Sequence, residues 1–198
     1  MTQNLAILLT SAMLCCGASH GQEKAIELID AQLSAWKLPD PNPWWTVADG
    51  VLSVKSDPKK TGSTLWTKAE FTDFTLEAEF KFSGSVDSGF FLRCEDQQIQ
   101  IGDSGSLKRD LTGSPYIATL KKYPVEATGV AALLKVGEWN SMRIIVTGPH
   151  YTVFLNATQI LDWTSESTTT SGPIGLQLHA NKEMTVHFRN LKLTEKKR

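Results

Sequence analysis

The stretch FTLEAEFKF (74–82) alternates apolar and polar side chains without a break, and the same alternation recurs along the chain. A period of two sends successive side chains to opposite faces of a strand, so one face seeks a core and the other does not. GVLSV (50–54), GFFLRC (89–94), QIQI (98–101), MRIIVTG (142–148), YTVFLN (151–156), IGLQLH (174–179) and MTVHFRNLKL (184–193) carry this signal. Each is short, rich in β-branched or aromatic residues, and bounded by Gly, Pro, Asp or Asn. No long amphipathic stretch interrupts them, and a helix is expected only around residues 23–35. Many short strands of this kind close into a sandwich or a barrel. A length of 198 residues suits one such all-β domain.

The N-terminus follows another rule. LAILLTSAMLCCGA (5–18) is apolar and uncharged, too short for a membrane span, and followed by small residues. It reads as a signal peptide over residues 1–21, with residues 22–198 as a single mature domain, secreted or periplasmic. A lipid anchor at Cys15 or Cys16 needs small residues just before it, and Leu14 stands there instead. Two of the three cysteines lie in this leader, so the mature domain keeps Cys94, has no internal disulfide and depends on its core. The net charge of −1 gives no electrostatic pull on a nucleic-acid backbone. No protein partner is specified by any segment.

Sorting the strands by face leaves a shared polar set. Leu76, Ala78, Phe80 and Phe82 oppose Thr75, Glu77, Glu79 and Lys81. Treated alike, the other strands contribute Arg93, Gln98, Gln100, Gln177, His179, His187 and Arg189. A merely solvated face favours Thr, Lys and Ser. Forked or paired donors and acceptors are what a hydroxyl-rich ligand such as a sugar needs. Alternation sorts faces and does not say which strands are neighbours. After Asn190 the apolar parity shifts to Leu191 and Leu193, which predicts a bulge near Arg189-Asn190. Of the six tryptophans, Trp66 and Trp139 are expected in the core.

Several competing signals fail on context. GDSGS (102–106) resembles the surroundings of a trypsin-type serine, but the order His, Asp, Ser is missing, because the only preceding histidine is His20 in the leader. Gly102 and Gly105 read as turn residues. There is no H-E-x-x-H, no C-x-x-C pair, no EF-hand loop and no G-x-G-x-x-G, so neither a metal site nor a dinucleotide site is readable. Asn156-Ala157-Thr158 is a formal N-glycosylation sequon.

The motifs taken in order form a pattern. They are W-x-V-x-D-G-V-L (45–52), L-W-T-K-x-x-F-x-D-F-x-L-x-x-E-F (65–80), D-S-G-F-F-L-R (87–93), Q-I-Q-I-G-D (98–103), T-G-S-P-Y (112–116), G-E-W-N (137–140), G-P-I-G-L-Q-L-H (172–179) and F-R-N-L-K-L (188–193). The chain resembles the 3-keto-disaccharide hydrolase family of secreted bacterial proteins over nearly all of residues 22–198. The resemblance implies a concanavalin A-like lectin/glucanase jelly-roll β-sandwich of two antiparallel sheets, one of them concave. It also implies a carbohydrate substrate or ligand and no required cofactor, with a divalent metal such as calcium allowed by analogy with that fold. The chain departs from the family in having Asp87-Ser88-Gly89 for Asn-Ser-Gly, and Gln98 for a glutamate.

The reaction so implied is hydrolysis of a glycoside already oxidised at C3. A base removes the C2 hydrogen, the C1 leaving group departs, and water adds back. His179 is the first candidate base, Arg93 the donor to the enolate, and Glu79 and Glu77 alternative bases. Glu77, Gln98, Gln100, Asp103, Gln177 and Arg189 would hold the sugar. Glu77 and Glu79 as an ordinary glycosidase pair rank lower, since two carboxylates on one strand do not easily flank a bond. The alternative function is a non-catalytic, lectin-like carbohydrate-binding module, favoured by the amide at Gln98. A structural module packing on a partner comes third.

Overall fold

The computed structural model describes residues 24–196, and the leader read at residues 1–21 lies outside them. Along the chain run β1 (Ala25–Glu27), β2 (Trp36–Lys37), β3 (Trp45–Ala48), β4 (Val51–Lys55), β5 (Ser63–Thr67), β6 (Phe74–Phe82) and β7 (Asp87–Leu92). Then follow β8 (Gln97–Gly102), β9 (Pro115–Ile117), the single-turn helix α1 (Val130–Leu133), β10 (Asn140–Thr147), β11 (His150–Leu155), β12 (Thr158–Thr164), β13 (Ile174–Leu178) and β14 (Thr185–Glu195). One antiparallel sheet is ordered β12-β11-β10-β6-β14-β4-β3, with β1 beside β14, and the other β2-β5-β13-β7-β8-β9. The protein is thus the all-β sandwich that the alternation predicts. No helix among the described residues is long and apolar enough to cross a membrane.

The helix expected around residues 23–35 is not there. Over the described residues that segment is strand β1, pairing Ala25–Glu27 with Lys192–Thr194, and then a turn. The Asp30 carboxylate accepts the N–H groups of Gln32 and Ser34, a local bond that competes with helix.

The inner faces meet as the period of two dictates. Phe80 and Phe188 from one sheet and Phe90 and Leu176 from the other are fully buried. Phe90 and Phe188 meet edge to face across the sandwich, centroids 5.8 Å apart. Each such side chain stabilises the fold by about 1.5–3 kcal/mol. Trp36 and Trp45 are in this core. Trp66 and Trp139 are only half-buried, contrary to expectation. Trp139 lies beneath Arg189 and Lys81 on the outer face of the larger sheet, a cation–π stack.

The bulge predicted at Arg189-Asn190 is present: the β14–β6 register shifts between Arg189 and Lys192, and Asn190 has φ 50°. Asn156 and Ala157 form the two-residue turn between β11 and β12, both with positive φ. The sequon asparagine is held there: its amide nitrogen donates to Leu133 O and Asn140 Oδ1, and its Oδ1 accepts the Ser141 N–H.

Strands β7 and β8 are buried along their whole length. One face meets the core. On the other, Gln98 covers Gly89, Trp66 stacks against Phe91, and Gly105 in the chain that follows β8 comes over Asp87 Oδ2. A second close approach fixes the far end of β7. A Cβ on Gly172 would stand 1.8 Å from the backbone oxygen of Arg93. Backbone has to give way there, so Gly172→Ala is expected to lower unfolding stability by about 1–3 kcal/mol, read as a shift in denaturant midpoint.

Candidate functional site

The outer face of the smaller sheet carries a cleft of about 800 Å³. Register builds it row by row. Phe91 pairs with Gln98 and Gln98 with Tyr116, while Gly89 pairs with Gln100. On the other side of β7, Gly175 pairs with Phe91, which sets Gln177 and then His179 further along the same face of β13. Gln98, Gln100, Gln177, His179, Asp87 and Asp103 all line the cleft, together with Ser104, Tyr123 and Lys182.

Gly89 makes the centre possible. A Cβ there would stand 2.6 Å from Gln98 Nε2 and 2.9 Å from its Cγ. Without it, Gln98 lies across β7 and its Nε2 donates to Gln177 Oε1 at 2.7 Å. Nε2 of Gln177 and Oε1 of Gln98 make no hydrogen bond among the described residues. Gln100 is committed instead: its Nε2 donates to Asp87 Oδ1 at 2.9 Å and to the backbone oxygen of Asp103 at 3.0 Å. Buried amides are paired in this way because an unpaired one costs about 1–3 kcal/mol.

His179 is poised beside Asp87. Its Nδ1 lies 2.7 Å from Ala180 O, and a carbonyl only accepts, so Nδ1 carries the proton. Nε2 is then the basic nitrogen, 4.0 Å from Asp87 Oδ2. The Asp87 side chain is 7% exposed and that of His179 45%, so the imidazole faces ligand space and the carboxylate stands behind it. Asp103 accepts from Ser85 and faces Lys182 Nζ at 3.7 Å. Burial pushes the Tyr123 phenol up to about 12, with the Asp87 and Tyr116 charges adding to it and a hydrogen bond with Ser104 opposing it. Tyr123 is therefore an O–H donor at neutral pH.

Of the residues singled out by sequence, the cleft gathers Gln98, Gln100, Asp103, Gln177 and His179. It does not gather the others. Arg93 follows the last residue of β7 with φ 69°, a left-handed backbone that breaks the alternation by which it was placed. Its guanidinium is buried, donating to Thr72 O and Gly148 O and pairing with Asp73 at 3.2 Å. Glu77, Glu79 and Arg189 lie on the outer face of the other sheet. There Arg189 Nε and Asn190 Nδ2 each donate to Glu79 at 2.7 Å, and Lys192 faces Glu77 at 3.4 Å. Burial works against the Glu79 charge, but the bonds from Asn190 and Arg189 prevail and hold its carboxyl below the usual range.

Sequence reasoning missed Asp87 as a site residue, although it shares the parity of Gly89 and Phe91 and was visible as a departure. Tyr123 and Lys182 lie outside the strands and gave no periodic signal. Among the described residues no three of His, Cys, Asp or Glu converge as a metal ion would require.

Two antiparallel sheets packed face to face make a β-sandwich of galectin-like fold, with a polar cleft on one outer face. The chain belongs to the 3-keto-alpha-glucoside-1,2-lyase-like domain family, whose model matches residues 24–194. It is similar to a candidate glycosyl hydrolase of Parabacteroides distasonis, at 24% identity and TM-score 0.69, over 87% of this chain and 100% of that one. A second candidate glycosyl hydrolase from that organism is 28% identical, with TM-score 0.64, over 87% of this chain and 84% of its own. The carbohydrate-binding module CBM66 of Bacillus subtilis shares the fold at 14% identity and TM-score 0.53, over 81% of this chain and 96% of that one. No curated protein matches the sequence. Family and neighbours together support a glycoside-related function.

Two outcomes follow from the geometry. Arg93→Ala removes the buried guanidinium that Thr72 O, Gly148 O and Asp73 share, and is expected to cost about 3–5 kcal/mol of unfolding free energy in a denaturant titration. Tyr123 and Tyr151 are both raised to about 12 by burial. The unfolded chain releases these protons near pH 10, roughly, while the fold still holds them. Stability is therefore intact below that pH and is lost as pH rises towards about 12. Tyr123→Phe should flatten the alkaline limb of a pH–melting curve.

Proposed function

We propose that the cleft takes a glycoside bearing a ketone at C3 and cleaves it by elimination followed by addition of water. The observation that carries this reading is the pairing at the cleft wall: a half-exposed imidazole with its basic nitrogen 4.0 Å from a buried carboxylate. Around it are amides with an unused donor and acceptor. A C3 ketone acidifies the C2 hydrogen, so the reaction needs one base, one donor for the enolate oxygen and one acid for the leaving group.

His179 Nε2 takes the C2 proton, and Asp87 stabilises the imidazolium that results. The electron pair moves to the ketone oxygen, which the free N–H of Gln177 meets. As the ketone re-forms, the C1–O bond breaks and the leaving oxygen takes the proton of Tyr123. Water then adds across C1 and C2. Its oxygen goes to C1, its proton restores the phenol, and His179 returns a proton to C2. The two departures from the family pattern support this arrangement jointly. Asp87 and Gln98 line the same cleft, so a carboxylate absent at one position is present at the other. The reaction is proposed to run outside the cytoplasm, a reading supported by the apolar segment at residues 5–18.

A second reading is a carbohydrate-binding module without turnover, favoured by the amide of Gln98 and by the fold shared with CBM66. Incubating the purified protein with a 3-keto glycoside and with its unoxidised parent separates them. Aglycone released from the keto compound alone is expected; saturable binding with no release from either puts the module in its place. His179→Ala should lower kcat by about 10²–10⁴-fold with little change in melting temperature. Asp87→Asn should lower kcat while sugar binding persists.

A further inference from the structure

The row of the sheet next to the cleft is aromatic. Gly175 pairs with Trp66 on one side and Phe91 on the other, and Phe91 pairs with Gln98. A Cβ on Gly175 would stand 2.7, 2.9 and 3.0 Å from Cζ3, Cε3 and Cη2 of Trp66. Three adjacent ring atoms at nearly equal distance from one point present their face to it, so the indole lies flat on the sheet over Gly175. Phe91 stacks beside it, centroids 5.4 Å apart and planes 26° from parallel. The ring is half-buried, with its inner face on the strand.

We infer that Trp66, with Phe91, is the platform that receives the leaving sugar of a 3-keto disaccharide. The inference rests on the proposed function and extends it. Gly175 and Gln177 are two positions apart on β13, about 7 Å along a strand, close to the span from one pyranose to the next. The reacting sugar held at Gln177 and His179 therefore places its C1 substituent over the indole. A flat indole offers the apolar C–H face of a second sugar an extended contact, while a methyl group is too small to cover it.

The test compares a 3-keto disaccharide with the corresponding methyl 3-keto glycoside, using wild type, Trp66→Leu, Trp66→Ala and Gly175→Ala, each checked for melting temperature. Gly175→Ala leaves the indole in the protein but forces it off the sheet. The Trp66 indole N–H signal, assigned by its loss in Trp66→Leu, is followed by NMR during titration with both compounds. The disaccharide is expected to shift that signal and the methyl glycoside is not. In Trp66→Leu and Gly175→Ala, KM for the disaccharide should rise about tenfold, with the methyl glycoside unchanged. If neither compound turns over but the disaccharide alone shifts the signal, the platform stands and the elimination chemistry falls. If both turn over and the variants affect them equally, or if no sugar shifts the signal, the platform is overturned.

Discussion

The outer faces of β7 and β8 are covered by side chains of neighbouring strands and, at Asp87, by the chain that follows β8, and this second layer governs the polar groups beneath. In an ordinary sandwich strand, half the side chains meet water and can be polar at no cost. Here Gln98, Gln100 and Asp87 are buried on the side away from the core as well. Each must find a partner in the protein, and the partners are specific: Gln177 for Gln98, and Asp87 with the Asp103 carbonyl for Gln100. Gln100, with two acceptors, is fixed because its alternatives are unpaired groups at low dielectric. Rigidity then passes to the part that is exposed. His179 owes its tautomer to the Ala180 carbonyl and its electrostatic setting to a carboxylate that Gln100 holds from behind.

Glycines set the depth of this surface. Gly89 lets an amide cross the strand, and Gly175 lets an indole lie on it. At both places the side chain that occupies the space comes from a neighbouring strand. The floor of the cleft is therefore assembled across strands, and neither position tolerates a β-carbon without displacing a group that the proposed chemistry uses.

How far the sequence was legible follows from what a period of two encodes. It separates Leu76 from Glu77 and Leu176 from Gln177, and these assignments hold in the structure. It does not encode which sheet a strand joins. Glu79 and Arg189 share the parity of an outward-facing group, as Gln177 does, yet lie on the opposite surface of the molecule, paired with each other. It also fails where backbone leaves the β region, as at Arg93, whose positive φ turns the side chain into a buried ion pair. Residues outside the strands, such as Tyr123 and Lys182, carry no period at all. The bulge at Asn190 was legible because it shifts the apolar parity itself.

The Gln98–Gln177 pair has one further property. Two amides joined by a single hydrogen bond present one free oxygen and one free N–H to the space in front of them. Rotating both amide groups by half a turn exchanges which residue offers which, and the bond between them survives with its direction reversed. A carboxylate at position 98 would only accept, and would lock its neighbour one way. With glutamine there, the same wall can face a ketone oxygen, which accepts, or a hydroxyl, which also donates, by a local reversal that leaves every strand where it is.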